Sequence, residues 1–353
     1  MSMRMSRRQA LAGMAVLAAK PAWSCGTTAS LRDTACRRGV RFGTAVASGD
    51  LAQPAYARLV AQECAVLVPT WEMKWGAVQK QSGHFTFGPA DAIADFARAH
   101  NMMLRGHTIV WHVSMPDWLS QRLTSRNWPA MLAQHMGAVL GRYRNEVAEW
   151  DIVNEAVEPD DGRTDGLRDS AWLRAAGPAY VAEAYKMAAQ YAPQARLTYN
   201  EYGIEHHAPW TMKRRIAVLK LLERLKKADA PIHYLGMQSH LRVGDTFDAA
   251  AFSAFLTEVR DLGIKPQVTE MDVRADRIPN GAEKDAKTAD LARAYLETVL
   301  AAGCDTVVCW GLSDDKNWRA AEEPDDRPLP FDRNLMKKPL YDAIQASLAG
   351  TSL

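Results

Sequence analysis

Trp150-Asp151-Ile152-Val153-Asn154-Glu155-Ala156 begins as an apolar, β-branched run and ends abruptly in an amide and a carboxylate. A buried parallel strand looks like this where it emerges at a reactive face. Pro266-Gln267-Val268-Thr269-Glu270-Met271-Asp272-Val273 has the same form, with Glu270 at the exit. Either stretch alone would more often be a salt-bridged rim. Two carboxylates presented alike, flanking one bond, suffice for glycoside hydrolysis: one is protonated as the acid, the other ionised as nucleophile or base. The weight of the pair therefore rests on what surrounds it.

Working outward, apolar strand-like runs recur at 40–45, 65–69, 103–110, 149–153, 196–200, 234–240, 267–270 and 306–310. Between them lie helical stripes. Residues 90–100 space Ile93, Phe96 and Ala97; 216–227 space Leu219, Leu222 and Leu225; 291–302 space Tyr295, Leu296 and Val299. Eight strand–helix units predict a closed (β/α)8 TIM barrel, α/β in class and a single domain. An open doubly wound sheet would want a glycine-rich phosphate loop after the first strand. Gly43-Thr44-Ala45-Val46-Ala47-Ser48-Gly49 is too sparse for one.

The 353 residues suffice for one such barrel with insertions. A net charge of +2 gives no field that favours nucleic acid or an anionic membrane. The eleven Trp residues offer flat faces that stack on sugar rings. At the start, Ser6-Arg7-Arg8-Gln9-Ala10-Leu11 resembles a twin-arginine export signal. A short apolar run, 11–19, follows it, and small residues at 22–24 mark a cleavage point before Cys25. The organisation expected is a signal peptide at 1–24, a leader at 25–38 and a catalytic domain at 39–347. The destination expected is periplasmic or secreted. No later run is long enough to span a bilayer. Cys25, Cys36, Cys64, Cys304 and Cys309 match no metal spacing, and buried free thiols are the default expectation. Cys304 and Cys309 should face opposite ways and stay unbonded.

Almost every strand delivers a polar or aromatic group where it ends. Strand two leads into Glu72-Met73-Lys74-Trp75, and strand three into Arg105-Gly106-His107 and Trp111-His112. Strand six ends Gln238-Ser239-His240, and strand eight ends Trp310-Gly311 with Trp318 close behind. A packed barrel has no structural need for such a ring. His107, His112 or Lys74 taken singly would more often be a satisfied rim residue, and Trp75, Trp118, Trp128 and Trp172 read as packing.

On these residues, with Asn200, Thr269-Glu270 and the tail Lys338-Pro339-Leu340-Tyr341-Asp342, the sequence resembles glycoside hydrolase family 10 from about residue 40 to 346. Those are retaining endo-1,4-β-xylanases. The resemblance implies cleavage of xylan or xylo-oligosaccharides by double displacement, with Glu270 as nucleophile and Glu155 as acid/base. It implies that Asn154 holds the sugar 2-hydroxyl, that His240 bonds the nucleophile and that Asp272 supports His240. Asn200 would help keep Glu270 ionised. Lys74, His107, Trp111, Gln238, Trp310 and Trp318 would line the glycone subsites. No cofactor and no metal are implied, no stable membrane association is expected, and a monomer is.

The chain departs from that pattern. The family usually has Glu-Asn where Thr70 and Trp71 stand, and Gln where Ser114 stands. As the resemblance has it, those residues bind the second glycone sugar, so preference there should be altered. Trp71 would stack there or block the cleft. The family usually has Asp where Glu201 stands, and the parts played by Glu201 and Tyr202 stay open. Strict alternation also points Asn154 and Glu155 to opposite faces, so the strand must kink or end there. Three other readings stay open: a metal-dependent barrel hydrolase built on His107, His112, His240 and Asp272; a retired sugar-binding protein; and a related barrel glycosidase acting on another β-glycan.

Overall fold

The β-branched runs pair side by side, and the helical stripes pack around them. The structure, a computed structural model, describes residues 25–351. The expected export signal, 1–24, lies outside the described residues. The strands are β1 Arg41–Val46, β2 Val66–Pro69, β3 Met103–Trp111, β4 Val147–Asn154, β5 Arg196–Glu201, β6 Tyr234–Met237, β7 His240–Arg242, β8 Lys265–Arg274 and β9 Thr306–Cys309. All pair in parallel, in the order β6-β5-β4-β3-β2-β1-β9-β8-β7. Pairing of β6 with β8 closes the ring, as the eight-unit pattern predicts.

One predicted strand divides. The run 234–240 breaks at Gln238-Ser239, where Ser239 takes a left-handed φ of 63°. The lower half of β8 pairs with β6, and its upper half pairs with β7 through His240 and Asp272. The sixth wall is thus completed by two short pieces along one long strand.

The helical stripes appear longer than the sequence predicts, as Gly88–Ala99, Pro209–Lys227 and Gly281–Ala301. Their buried faces include Ile93, Leu222, Leu225, Tyr295 and Leu296. The barrel interior is not wholly apolar. Arg105, fully buried, donates to Glu149 at 3.1 Å, to Gln267 at 2.7 Å and to Asp151 at 2.5 Å. A buried cation persists only where such partners repay its lost hydration. Among the described residues no helix is long and apolar enough to cross a membrane.

Two expectations need correction. Residues 25–38 are not a detached leader. They contain the helix Leu31–Arg37, capped by Ser30 and buried through Leu31, Thr34 and Ala35. A seven-residue stripe is too short to stand out in sequence, yet Leu31 and Ala35 join the main core. This helix lies where the strands begin and packs on the helix Pro339–Ala349. Arg38 Nη1 donates to the Ser347 carbonyl at 2.6 Å, and Tyr341 Oη to the Ala29 carbonyl at 3.2 Å. Second, Cys25 and Cys36 form a disulfide rather than free thiols. The last turn of this helix carries Cys36, whose Cα lies 5.5 Å from that of Cys25, within bonding range. Cys64, Cys304 and Cys309 are buried free thiols, the last two unbonded as expected.

Candidate active site

Register sets the floor of the site. Trp111 lies beside Asn154, Asn154 beside Asn200, and Asn200 beside Gly236, across four successive strands. Parallel neighbours in register point the same way. The absent side chain at Gly236 makes room for the one at Asn200: a Cβ there would stand 2.3 Å from Asn200 Oδ1. Gly236→Ala is expected to displace that amide and to lower kcat about tenfold or more, because small misplacements near a reacting centre are costly. Steady-state kinetics check it; an unchanged kcat would remove Asn200 from the argument.

Asn200 is the hinge of the site's hydrogen bonding. Its Nδ2 donates to Glu270 Oε1 at 2.7 Å and to Asn154 Oδ1 at 3.0 Å. The Thr269 hydroxyl, 2.7 Å from Asn200 Oδ1, fixes which way the amide faces. Asn154 Nδ2 in turn donates to Glu155 Oε1 at 3.2 Å. The two carboxylates are therefore joined by a chain of two side-chain amides.

The alternation problem is solved by the backbone. Glu155 follows the last residue of β4 with a left-handed φ of 57°. That conformation costs a non-glycine residue about 1 kcal/mol, and it turns Glu155 onto the same side as Asn154. The carboxylate accepts from Trp111 Nε1 at 2.8 Å and from Gln238 Nε2 at 2.9 Å. Trp111 and Gln238, expected along the glycone cleft, thus meet the acid/base candidate itself.

Glu270 is buried, and burial alone would raise its pKa. The neighbouring His240 and the electrostatic pull of His107 and Lys74 outweigh that and hold it at about 2. His240 Nε2 stands 3.6 Å from Glu270 Oε2, while its Nδ1 lies 2.8 Å from Asp272 Oδ2. Burial pulls the His240 pKa down. The charge and hydrogen bond of Asp272, with the charge of Glu270, raise it to about 10. Trp318 Nε1 donates to the same Asp272 oxygen at 2.8 Å. The Trp318 ring is half exposed and lies 5.2 Å from the His240 ring.

Lys74 is buried, its Nζ 4.6 Å from the Trp111 ring centre and 5.7 Å from those of Trp71 and Trp310. Burial lowers its pKa against the opposing pull of Glu270 and Glu155. His107 Nδ1 is tied to Asp151 Oδ2 at 2.8 Å, and its ring meets Trp310 edge-on at 5.4 Å. All ten predicted site residues and both predicted supporting residues therefore gather where the strands end. Trp75 and Trp172 are buried packing, and Trp118 and Trp128 pack partly buried against the core.

Among the described residues, the side chains named for the metal alternative are not grouped around one point. His107 is tied to Asp151 and His240 to Asp272, while His112 Nδ1 has no hydrogen-bond partner. Among the described residues, no three His, Cys, Asp or Glu side chains are grouped to hold a metal ion.

Sequence reasoning missed the shell behind Glu155. Arg168 Nε donates to the Glu155 carbonyl at 3.0 Å, and Arg214 Nη1 to the Val157 carbonyl at 2.8 Å. Glu201, left open by the sequence, is fully buried there. Burial raises its pKa to about 8, against the opposing charge of Arg214 and a hydrogen bond from Tyr199. Arg168 lies in a loop and Arg214 on a helix, and neither stands at a strand end that would have flagged it.

Residues 30–347 match the sequence model of glycosyl hydrolase family 10. An endo-1,4-β-xylanase 1 from Humicola insolens is 32% identical over 346 residues, spanning 95% of this chain and 77% of that one. The exoglucanase XynX of Acetivibrio thermocellus is 34% identical over 308 residues, and there the chain spans only 27% of the relative's length. In structure, xylanase 10B from Thermotoga petrophila RKU-1, solved with xylobiose, superposes with a TM-score of 0.85 at 27% identity. That match covers 93% of this chain and 99% of the other. With a closed eight-walled barrel, paired carboxylates where its strands end and a family match over most of its length, the chain belongs to glycosyl hydrolase family 10.

Proposed function

We propose that the chain cleaves internal β-1,4-xylosidic bonds of xylan or xylo-oligosaccharides with retention, Glu270 acting as nucleophile and Glu155 as acid and base. The observation that carries this is the amide chain Glu270–Asn200–Asn154–Glu155, which sets two carboxylates in unlike surroundings around one space. Glu270, held ionised, attacks the anomeric carbon while the bond to the leaving sugar breaks. The departing oxygen takes the proton of Glu155. Water then attacks the same carbon and gives its proton to Glu155, and the ester bond to Glu270 breaks. Two carboxylates and water suffice, and no cofactor enters. Relatives named endo-1,4-β-xylanases support the substrate class, as does the xylanase of Thermoanaerobacterium saccharolyticum, a mutant of which was solved with xylotriose.

The test is reducing-sugar release from xylan, beside carboxymethyl-cellulose and a Glu270→Ala control. Release from xylan that vanishes in the control supports the reading. Release from carboxymethyl-cellulose alone would favour another β-glycan, the alternative that the name of the XynX relative keeps in view.

The distal glycone subsite is altered in this reading. Trp71 is half exposed beside Lys74, while Ser114 is buried against the Gly76 backbone at 3.3 Å. An aromatic face there replaces hydrogen bonds that each discriminate by about 0.5–1.5 kcal/mol. Restoring Glu at Thr70 and Asn at Trp71 is expected to raise kcat/KM on xylotriose severalfold; an unchanged value discards the altered subsite.

We further place the protein outside the cytoplasm, periplasmic or secreted and acting as a monomer. The Arg7-Arg8 signal and the Cys25–Cys36 disulfide support export, since such bonds persist in oxidising compartments.

A further inference from the structure

The turn that carries Glu155 is held at every backbone group. The Glu155 N–H donates to the Asn200 carbonyl at 2.9 Å, and the Ala156 carbonyl accepts from the Arg168 N–H at 2.8 Å. The remaining two N–H groups meet side chains of β5. Ala156 N donates to Tyr199 Oη at 3.1 Å, and Val157 N to Glu201 Oε2 at 3.3 Å. Tyr199 Oη itself donates to the same Glu201 oxygen. The other Glu201 oxygen accepts from Tyr202 N at 3.1 Å and lies 3.4 Å from Arg214 Nη1, the group that also holds the Val157 carbonyl. Glu201 is fully buried and has no path to a sugar. A barrel rim does not require a carboxyl at such a place, and burying one is costly unless its partners are worth the expense.

We propose that Glu201, working with Tyr199, is a positioning residue for the acid/base carboxylate: it locks residues 155–157 in the left-handed turn that sets Glu155 beside Asn154. The inference rests on the reading of Glu155 as acid and base. Without this lock the turn loses the partners of two buried N–H groups and relaxes toward an ordinary strand exit, carrying Glu155 toward the opposite face.

Glu201→Gln tests it, because an amide places a donor against either the Val157 or the Tyr202 N–H. Two substrates are compared with the full chain: xylotetraose, whose leaving sugar needs protonation, and a dinitrophenyl β-xylobioside, whose leaving group does not. The expected result is a fall in kcat/KM of about 10- to 100-fold on xylotetraose, with kcat/KM on the dinitrophenyl substrate within about twofold. Tyr199→Phe, which strands the Ala156 N–H, should give the same split. It carries the test should Glu201→Gln fail to fold. Glu201→Asp, one methylene shorter, should fall between. Equal losses on both substrates, or none on either, would overturn the proposal. A Glu155→Ala control separates the two readings. If it spares the dinitrophenyl substrate while the Glu201 and Tyr199 variants do not, the lock is wrong. If Glu155→Ala itself shows no split, the acid/base assignment falls first.

Discussion

Glu270→Ala is expected to lower kcat on xylan by about 10⁵-fold, the scale seen when a nucleophile is deleted from a preorganised site. The attacking oxygen is lost, and nothing nearby replaces it. Asn200 and His240 both direct donors at Glu270 and bring no nucleophilic oxygen of their own. The barrel itself should survive, since Glu270 lies in the upper part of β8 and faces Asn200 and His240 rather than the apolar core. Added azide is expected to fill the vacated space and attack a dinitrophenyl xyloside once, giving the α-configured glycosyl azide. Product analysis by NMR reads that configuration; a β-azide, or near-normal xylan hydrolysis, would refute the nucleophile assignment. The sign of the pH effect follows from a pKa held at about 2. Glu270 keeps its charge through the range where ordinary carboxylates titrate, so activity on the acid side should not fall there on its account. By linkage, the stability it contributes is present above that range and is lost as pH falls toward about 2.

Glu155→Ala is expected to lower kcat on xylan by about 10²- to 10⁴-fold, the usual contribution of general acid–base help. Its signature differs from that of Glu270→Ala. With a dinitrophenyl leaving group the first step needs no proton, so kcat/KM should hold. The second step loses its base, so kcat should fall and a burst of dinitrophenol should precede the steady state. Azide should then restore turnover and give the β-configured product, the outcome of two inversions. A variant that lost both steps equally, with no burst, would transfer the acid/base role elsewhere. Trp111 and Gln238 would each lose an acceptor, which makes their own substitutions a milder version of the same phenotype.

The barrel was legible because strand and helix periodicities differ and eight units alternate. The carboxylates were legible because Glu155 and Glu270 each interrupt an apolar run at its end. The break at Ser239 was not, since a left-handed serine has no signature in sequence as glycine would. The turn at Glu155 could be demanded and placed, from the conflict between alternation and a shared site, but its left-handed form could not. An indole N–H or an amide suits a sugar hydroxyl and a carboxylate equally, so sequence could not assign Trp111 and Gln238 to Glu155. Arg168 and Arg214 stayed invisible because they are distant along the chain from the turn they hold. The Cys25–Cys36 bond is not legible because the short helix that carries Cys36 has too brief a stripe to stand out in sequence.

That helix and the helix Pro339–Ala349 clasp each other where the strands begin, joined through Arg38 to Ser347 and Tyr341 to Ala29. The catalytic groups open at the other end of the barrel. A tether attached beside that helix pair, at residue 26 or 351, would therefore leave from the floor of the molecule, and either would leave from nearly the same spot. Immobilising the enzyme by one end, or appending a second module there, should leave the cleft facing outward and free to meet a polymer too large to diffuse to it.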